Sequence, residues 1–158
     1  MGNSWILTER QKIIDRYLHC AANLYGHITP RAFLVLFNRY NEPKLLKAEL
    51  MKYWNKLMRQ ADRKYCLYDN AIISARVKND KINKIMYYQR GKQFYIPGES
   101  ELLKYESDDY YEATDFTRKL QEYLCKQLHM NPFSADALLR KLSWLIRIEG
   151  GTQEQMDL

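Results

Sequence analysis

From Thr8 onward the apolar positions return every three to four residues, the period of a helix that turns one face to a core. Ile13, Ile14, Tyr17, Leu18, Ala21 and Leu24 make the first such stripe. Thr8 followed by Gln11 is the capping-box pattern that starts it, and Tyr25-Gly26 ends it, since glycine readily takes the left-handed conformation of a helix terminus. His27-Ile28 is a short extended link. Thr29 caps a second helix with Pro30 at its first position, striped by Phe33, Leu34, Leu36, Phe37 and Tyr40 and broken at Asn41-Glu42-Pro43. A third helix is predicted over residues 44–61. At about 100° per residue it gathers Leu46, Leu50, Tyr53, Trp54, Leu57 and Met58 on one side, and Ala48, Lys52, Asn55, Lys56 and Arg59 on the other.

The period then changes. Residues 64–68 and 71–77 are short runs rich in Tyr, Ile and Val, joined at Asp69-Asn70, a dipeptide suited to tight turns, and they predict a β-hairpin. Residues 79–92 predict a helix with Ile82, Ile85, Met86 and Tyr87 inward and Lys81, Lys84 and Arg90 outward. Residues 93–96 read as a short strand and Pro97-Gly98 as a turn. Two helices close the chain. Phe116, Leu120, Tyr123, Leu124 and Leu128 stripe one. The other starts at Asn131-Pro132 and Ser134, buries Leu138, Leu139, Leu142, Leu145 and Ile146, and ends at Gly150-Gly151. The fold class is thus mainly α with a small β-hairpin. The expected domains are residues 1–98, then 99–150 with the last two helices, then a disordered tail over 151–158.

Charge sharpens that division. Residues 1–98 hold 18 Lys and Arg against 7 Asp and Glu, and residues 99–158 hold 7 against 12, which together give the net +6. A basic stretch of this kind predicts a surface for polyanions. Seven acids fall within residues 99–115, where Asp108, Asp109 and Glu112 look like a helix start, placed where the helix dipole favours them. Tyr105, Tyr110 and Tyr111 lie among them. The 13 Tyr against 5 Phe either line the rim of an ordinary core or mark an interface, where Tyr is favoured.

Helix, short strand, helix, helix, hairpin is an order that resembles the winged helix-turn-helix family over residues 8–77. The resemblance implies a third helix that enters the major groove and a wing that touches the backbone. It assigns base reading to Lys52, Asn55, Lys56 and Arg59 and backbone contact to Arg76 and Lys78. The connection from Asn41 to Leu45 departs from the family's tight turn. Lys81, Lys84 and Arg90 extend the basic surface. NLYGHI and FYIPGESELLKY also resemble segments of bacterial and phage proteins to which no function is attached, which implies a bacterial or phage origin.

Chemistry finds little footing. There is no glycine-rich phosphate loop, and Cys20, Cys66 and Cys125 are scattered, with none of the spacing of metal ligands, as reduced cytosolic thiols are. His19 and His27 read as a packed side chain and a loop residue. The acidic cluster would suit Mg²⁺, but its position favours a structural role. No catalytic residue, metal or cofactor is expected, and the chain is not expected to be an enzyme. Residues 1–10 carry no apolar signal core and no apolar stretch reaches the roughly 20 residues of a membrane span, so a cytoplasmic protein is expected.

Two functions fit. One is a DNA-binding transcription regulator, preferring DNA to RNA and pairing as a homodimer through its C-terminal helices. The other is a phage-encoded interaction protein, such as an anti-CRISPR inhibitor of a nucleic-acid-guided nuclease. It would hold a nucleoprotein either through its basic face, against guide RNA, or through the patch formed by Tyr105, Asp108, Asp109, Tyr110, Tyr111 and Glu112, as a phosphate mimic.

Overall fold

The computed structural model describes residues 7–57 and 63–149, with the side chains of Leu57 and Glu149 left aside. Two compact units divide between Glu106 and Ser107.

The first unit is built on α1 (Glu9–Tyr25), whose start is the expected capping box: the Thr8 side chain accepts from the Gln11 amide, and the Gln11 side chain accepts from that of Thr8. Gly26 closes it at φ 69°, where a side chain would be strained. Ile14, Tyr17, Leu18, Cys20, Ala21, Ala22, Asn23 and Leu24 are all buried, more than one face can supply, because α1 is surrounded. It packs on the sheet, on α2 (Pro30–Tyr40), on α5 (Glu99–Leu102) and on the 3-10 turn Leu103–Glu106. Ile13 was expected in the stripe and is exposed instead.

The hairpin forms where the sequence places it. β2 (Tyr65–Tyr68) and β3 (Ala71–Ser74) pair antiparallel around Asp69 and Asn70, both at positive φ (45° and 58°), a conformation that Asp and Asn tolerate. β1 (His27–Ile28) pairs with the other side of β3, so the order is β1-β3-β2. All four residues of β3 are buried. Ala71 and Ile73 pack with Ile82 of α4 (Asn79–Gln89) and with Val77. Ile72 and Ser74 point to the opposite face, where α1 packs. The Gln89 side chain ties α4 to β1, donating to the carbonyls of Tyr25 (3.0 Å) and His27 (3.1 Å).

Four expectations for this unit need correction. The third helix, α3, spans Lys47–Leu57, and Leu46, ahead of its first turn, is 67% exposed; Leu50, Tyr53 and Trp54 are buried as expected. Residues 58–61 of the expected helix, with Met58 and Arg59, lie outside the described residues. In α4 Ile82 and Ile85 are buried, but Met86 and Tyr87 are exposed, Tyr87 standing about 140° round the helix from Ile82. Residues 93–96 form no strand; tyrosine hydroxyls of α1 and α2 hold that segment, Tyr25 donating to the Tyr95 carbonyl at 2.6 Å and Tyr40 to that of Pro97. The expected boundary near residue 98 also moves, since Leu102 and Tyr105 are buried in the first unit and Tyr17 donates to Glu99.

The connection before α3 is held from both sides. Asn38 bonds both backbone groups of Leu45 (2.6 and 3.0 Å), and Arg10 donates to the carbonyls of Pro43 and Lys44 and to both oxygens of Glu49, the nearer at 2.6 Å. A bidentate pair fixes direction as well as distance, and that bond to Arg10 holds the Glu49 carboxyl below the usual carboxylate range.

The second unit contains α6 (Asp115–Lys126) and α7 (Pro132–Glu149). Thr114 caps α6, and the Asn131 side chain accepts from the Ser134 amide at 2.8 Å as α7 starts at Pro132. Leu124, Ala135 and Leu139 form the core between them. Most of the expected stripes are not buried: Phe116, Tyr123, Leu128 and Ile146 are exposed, and Leu120, Leu138, Leu142 and Leu145 only half-buried. Two helices offer each other one contact face, too little to cover stripes this wide. Residues 107–114 are irregular, so Asp108, Asp109 and Glu112 begin no helix. Gly150, Gly151 and the tail lie outside the described residues.

Candidate nucleic-acid interface

On α3 the residues opposite the buried face are Ala48, Lys52 and Asn55, all exposed. Lys56 lies at the edge of that face, half-buried, and donates to Gln11 Oε1 of α1 at 3.2 Å. Arg59 is outside the described residues. Arg76 and Lys78 are exposed but are not at the hairpin tip. They lie in the connection from β3 to α4, at the opposite end of the strand, and the tip carries Asp69 and Asn70. Lys81 and Lys84 are half-buried along α4 and Arg90 is exposed just past its end. The Lys84 ammonium lies 5.8 Å from the centroid of the Tyr88 ring, within the range in which a cation is drawn to an aromatic face.

Several elements meet at a cleft that the sequence does not announce. Arg31 at the start of α2, Lys47 at the start of α3, the Asp69-Asn70 turn and Met86 of α4 line a space of about 420 Å³ floored in part by Leu34. Arg31 and Lys47 stand at helix starts, outside the faces that periodicity sorts. Only the fold, which brings both starts to the tip of the hairpin, joins them. At the cleft edge His27 is buried, its Nδ1 3.1 Å from Gln89 Oε1.

Charge is sorted within the first unit. Arg10 pairs with Glu49, and Arg16 pairs with Glu106 at 2.7 Å. Among the described residues, no ion pair takes up Arg31, Lys47, Lys52, Lys78, Lys81, Lys84, Arg90 or Lys92.

The residues of the expected acidic patch differ in burial. Tyr105 is 1% exposed, its carbonyl accepting from the Asn23 side chain at 2.9 Å, so it cannot meet a partner. Asp109 is exposed and lies 3.4 Å from Arg140. Tyr111, half-buried, donates to Asp136 at 2.9 Å. Tyr110 and Asp108 are half-buried as well, and Glu112 is exposed.

Burial pushes the Cys20 thiol up to about 12, so it stays protonated and inert at neutral pH. Among the described residues no group of three or more His, Cys, Asp or Glu is placed to hold a metal ion, and no helix is long and apolar enough to cross a membrane. The chain matches no family model, no curated protein and no solved structure.

Proposed function

We propose that this chain binds nucleic acid through the basic surface of its first unit, as a DNA-binding regulator of winged-helix type from a bacterium or phage. The distribution of charge carries the proposal: the ion pairs of the first unit take up Arg10, Lys12, Arg16 and Lys44, while Lys47 and Lys52 of α3 and Lys81 and Lys84 of α4 are met by no described carboxylate. Such cations release counterions when they meet phosphates, so several weak contacts add to a large, salt-dependent attraction. The order α1, β1, α2, α3, β2, β3 supports the winged-helix part. A homodimer through α6 and α7 belongs to the same proposal, supported by the exposed rings of Phe116, Tyr123 and Phe133.

The test is duplex binding by fluorescence anisotropy across a salt series. Replacing Lys52, Lys56 and Arg59 by Ala together should weaken binding and flatten the salt dependence by roughly 0.9 in slope for each phosphate no longer neutralised. An unchanged slope would shift the contact to Lys81, Lys84 and Arg90. Absence of binding at low salt would end the proposal. The alternative, an inhibitor of a nucleic-acid-guided nuclease, would use either the same basic surface against guide RNA or the acidic segment as a phosphate mimic. There Tyr105 is buried and Glu106 and Asp109 are met by Arg16 and Arg140, which leaves less charge to present.

A further inference from the structure

We infer that the outer side of α4 and the segment after it, residues 84–95, form a stacking platform for single-stranded nucleic acid. This rests on the nucleic-acid proposal above and adds, beside the duplex, a second form of ligand held at a separate surface.

The rings are open to solvent. Tyr87 is 73% exposed, Tyr95 58% and Phe94 37%. They alternate along the chain with Lys84, Arg90 and Lys92, and from residue 76 to residue 98 the only acid is Asp80 against six cations. An isolated exposed ring is ordinary, but rings interleaved with cations over a dozen residues are the two components that bind single strands. Bases stack on the rings and phosphates follow the cations. Neither component alone gives that pattern.

The rings are also held in place before any ligand arrives. Phe94 packs on the Tyr25 ring with centroids 4.7 Å apart, and Tyr87 meets Tyr88 edge to face at 5.8 Å. The Tyr95 hydroxyl lies 3.2 Å from both carboxylate oxygens of Glu101, and its carbonyl accepts from Tyr25. Fixed rings spend little conformational freedom on binding.

The form of the ligand follows from what a ring can reach. In a duplex the base faces are covered by their neighbours, so only groove edges and backbone are offered, and an exposed Tyr gains little from either. In a single strand every base has a free face. An acidic peptide would satisfy the cations but leave the ring faces without stacking partners.

The experiment uses the whole chain with labelled oligo-deoxythymidine of about 20 nucleotides and with its duplex, by anisotropy at several salt concentrations. The single strand should bind more tightly. Tyr87→Ala should weaken single-strand binding roughly tenfold with an unchanged salt slope, since stacking releases no counterions, while Tyr87→Phe keeps the affinity. Duplex binding should stay within about twofold in both variants. Tyr87 is exposed, so an unchanged thermal midpoint confirms that the variants fold. Equal losses on both polymers, or none on the single strand, would overturn the platform and leave the nucleic-acid proposal standing. Failure of the parent chain to bind either polymer would instead defeat that proposal, and an acidic peptide then becomes the occupant to try.

Discussion

The two units use the same kinds of side chain with opposite economy. In the first, Ile14, Leu18, Phe33, Leu36, Phe37, Leu45, Leu50, Ile72 and Ile73 are each at most 1% exposed, and the helix at the centre is covered on several sides. In the second, Phe116, Tyr123, Phe133 and Ile146 remain more than half exposed, and the core between α6 and α7 is Leu124, Ala135 and Leu139. Helical periodicity is equally clear in both. What differs is the surroundings within each unit: α1 has a sheet and three helical elements around it, whereas in the second unit α6 and α7 pack on each other, with Trp144 and Ile148 of α7 also buried. A stripe states that a helix wants cover, and only the rest of the fold decides whether it gets it.

The strongest way to break that contrast is to empty each core in turn. Phe37→Ala should cost about 3–5 kcal/mol in urea unfolding, and Leu139→Ala nearer 2 kcal/mol, because a thin core collapses more easily around the gap. Hydrogen exchange sharpens the comparison: Leu139→Ala should deprotect α6 and α7 while α1 stays protected. Equal costs and a shared loss of protection would mean that the two units are one cooperative core.

Alkali should act mainly on the first unit. Burial, and then the bond to Glu99, raise Tyr17 from 10.0 to about 12. The folded state therefore keeps a proton that the unfolded state gives up, so stability is whole below about pH 10 and declines as pH rises toward 12, by about 1–2 kcal/mol for one such group. Circular dichroism with tyrosinate absorbance across that range checks it. Tyr17→Phe should flatten the decline. If exchange first quickens in α6 and α7, the alkali-sensitive tyrosines are elsewhere.

The smallest expected effect is at the most exposed ring. Phe133→Ser should change stability by less than about 0.5 kcal/mol, but it should weaken self-association in sedimentation if the second unit pairs with its copy. A large loss of stability would show that Phe133 is covered within the chain.

Much of the first unit was legible in its residues. The capping box at Thr8, the start at Pro30, the hairpin at Asp69-Asn70 and the burial of Trp54 all follow from local chemistry. The misses are positions where locality ends. Leu46 carries the phase of α3 but stands before its first turn, and Tyr87 stands about 140° round α4 from Ile82, off the face that Ile82, Ile85 and Gln89 turn toward the sheet. Residues 93–96 have the composition of a strand but pair with neither edge of the sheet; tyrosine hydroxyls hold the segment. Tyr105 looks like a surface ring among acids and is buried because a 3-10 turn brings it onto α1. In the candidate interface, Lys52 and Asn55 stand exposed as expected. The meeting of Arg31 with Lys47, in contrast, depends on where helices begin in space, which no spacing encodes.

The position of β3 between β2 and β1 also sets an order of events during synthesis. Its pairing with β2 closes over two residues, whereas β1 reaches it only across α2, α3 and β2. Closing the longer loop costs entropy before its contacts repay it. A chain emerging from the ribosome therefore exposes α1, apolar on several sides, until β3 has followed it out. The helix that most needs cover is made well before the sheet that covers it, and this interval is when the nascent chain is most open to aggregation and to chaperones.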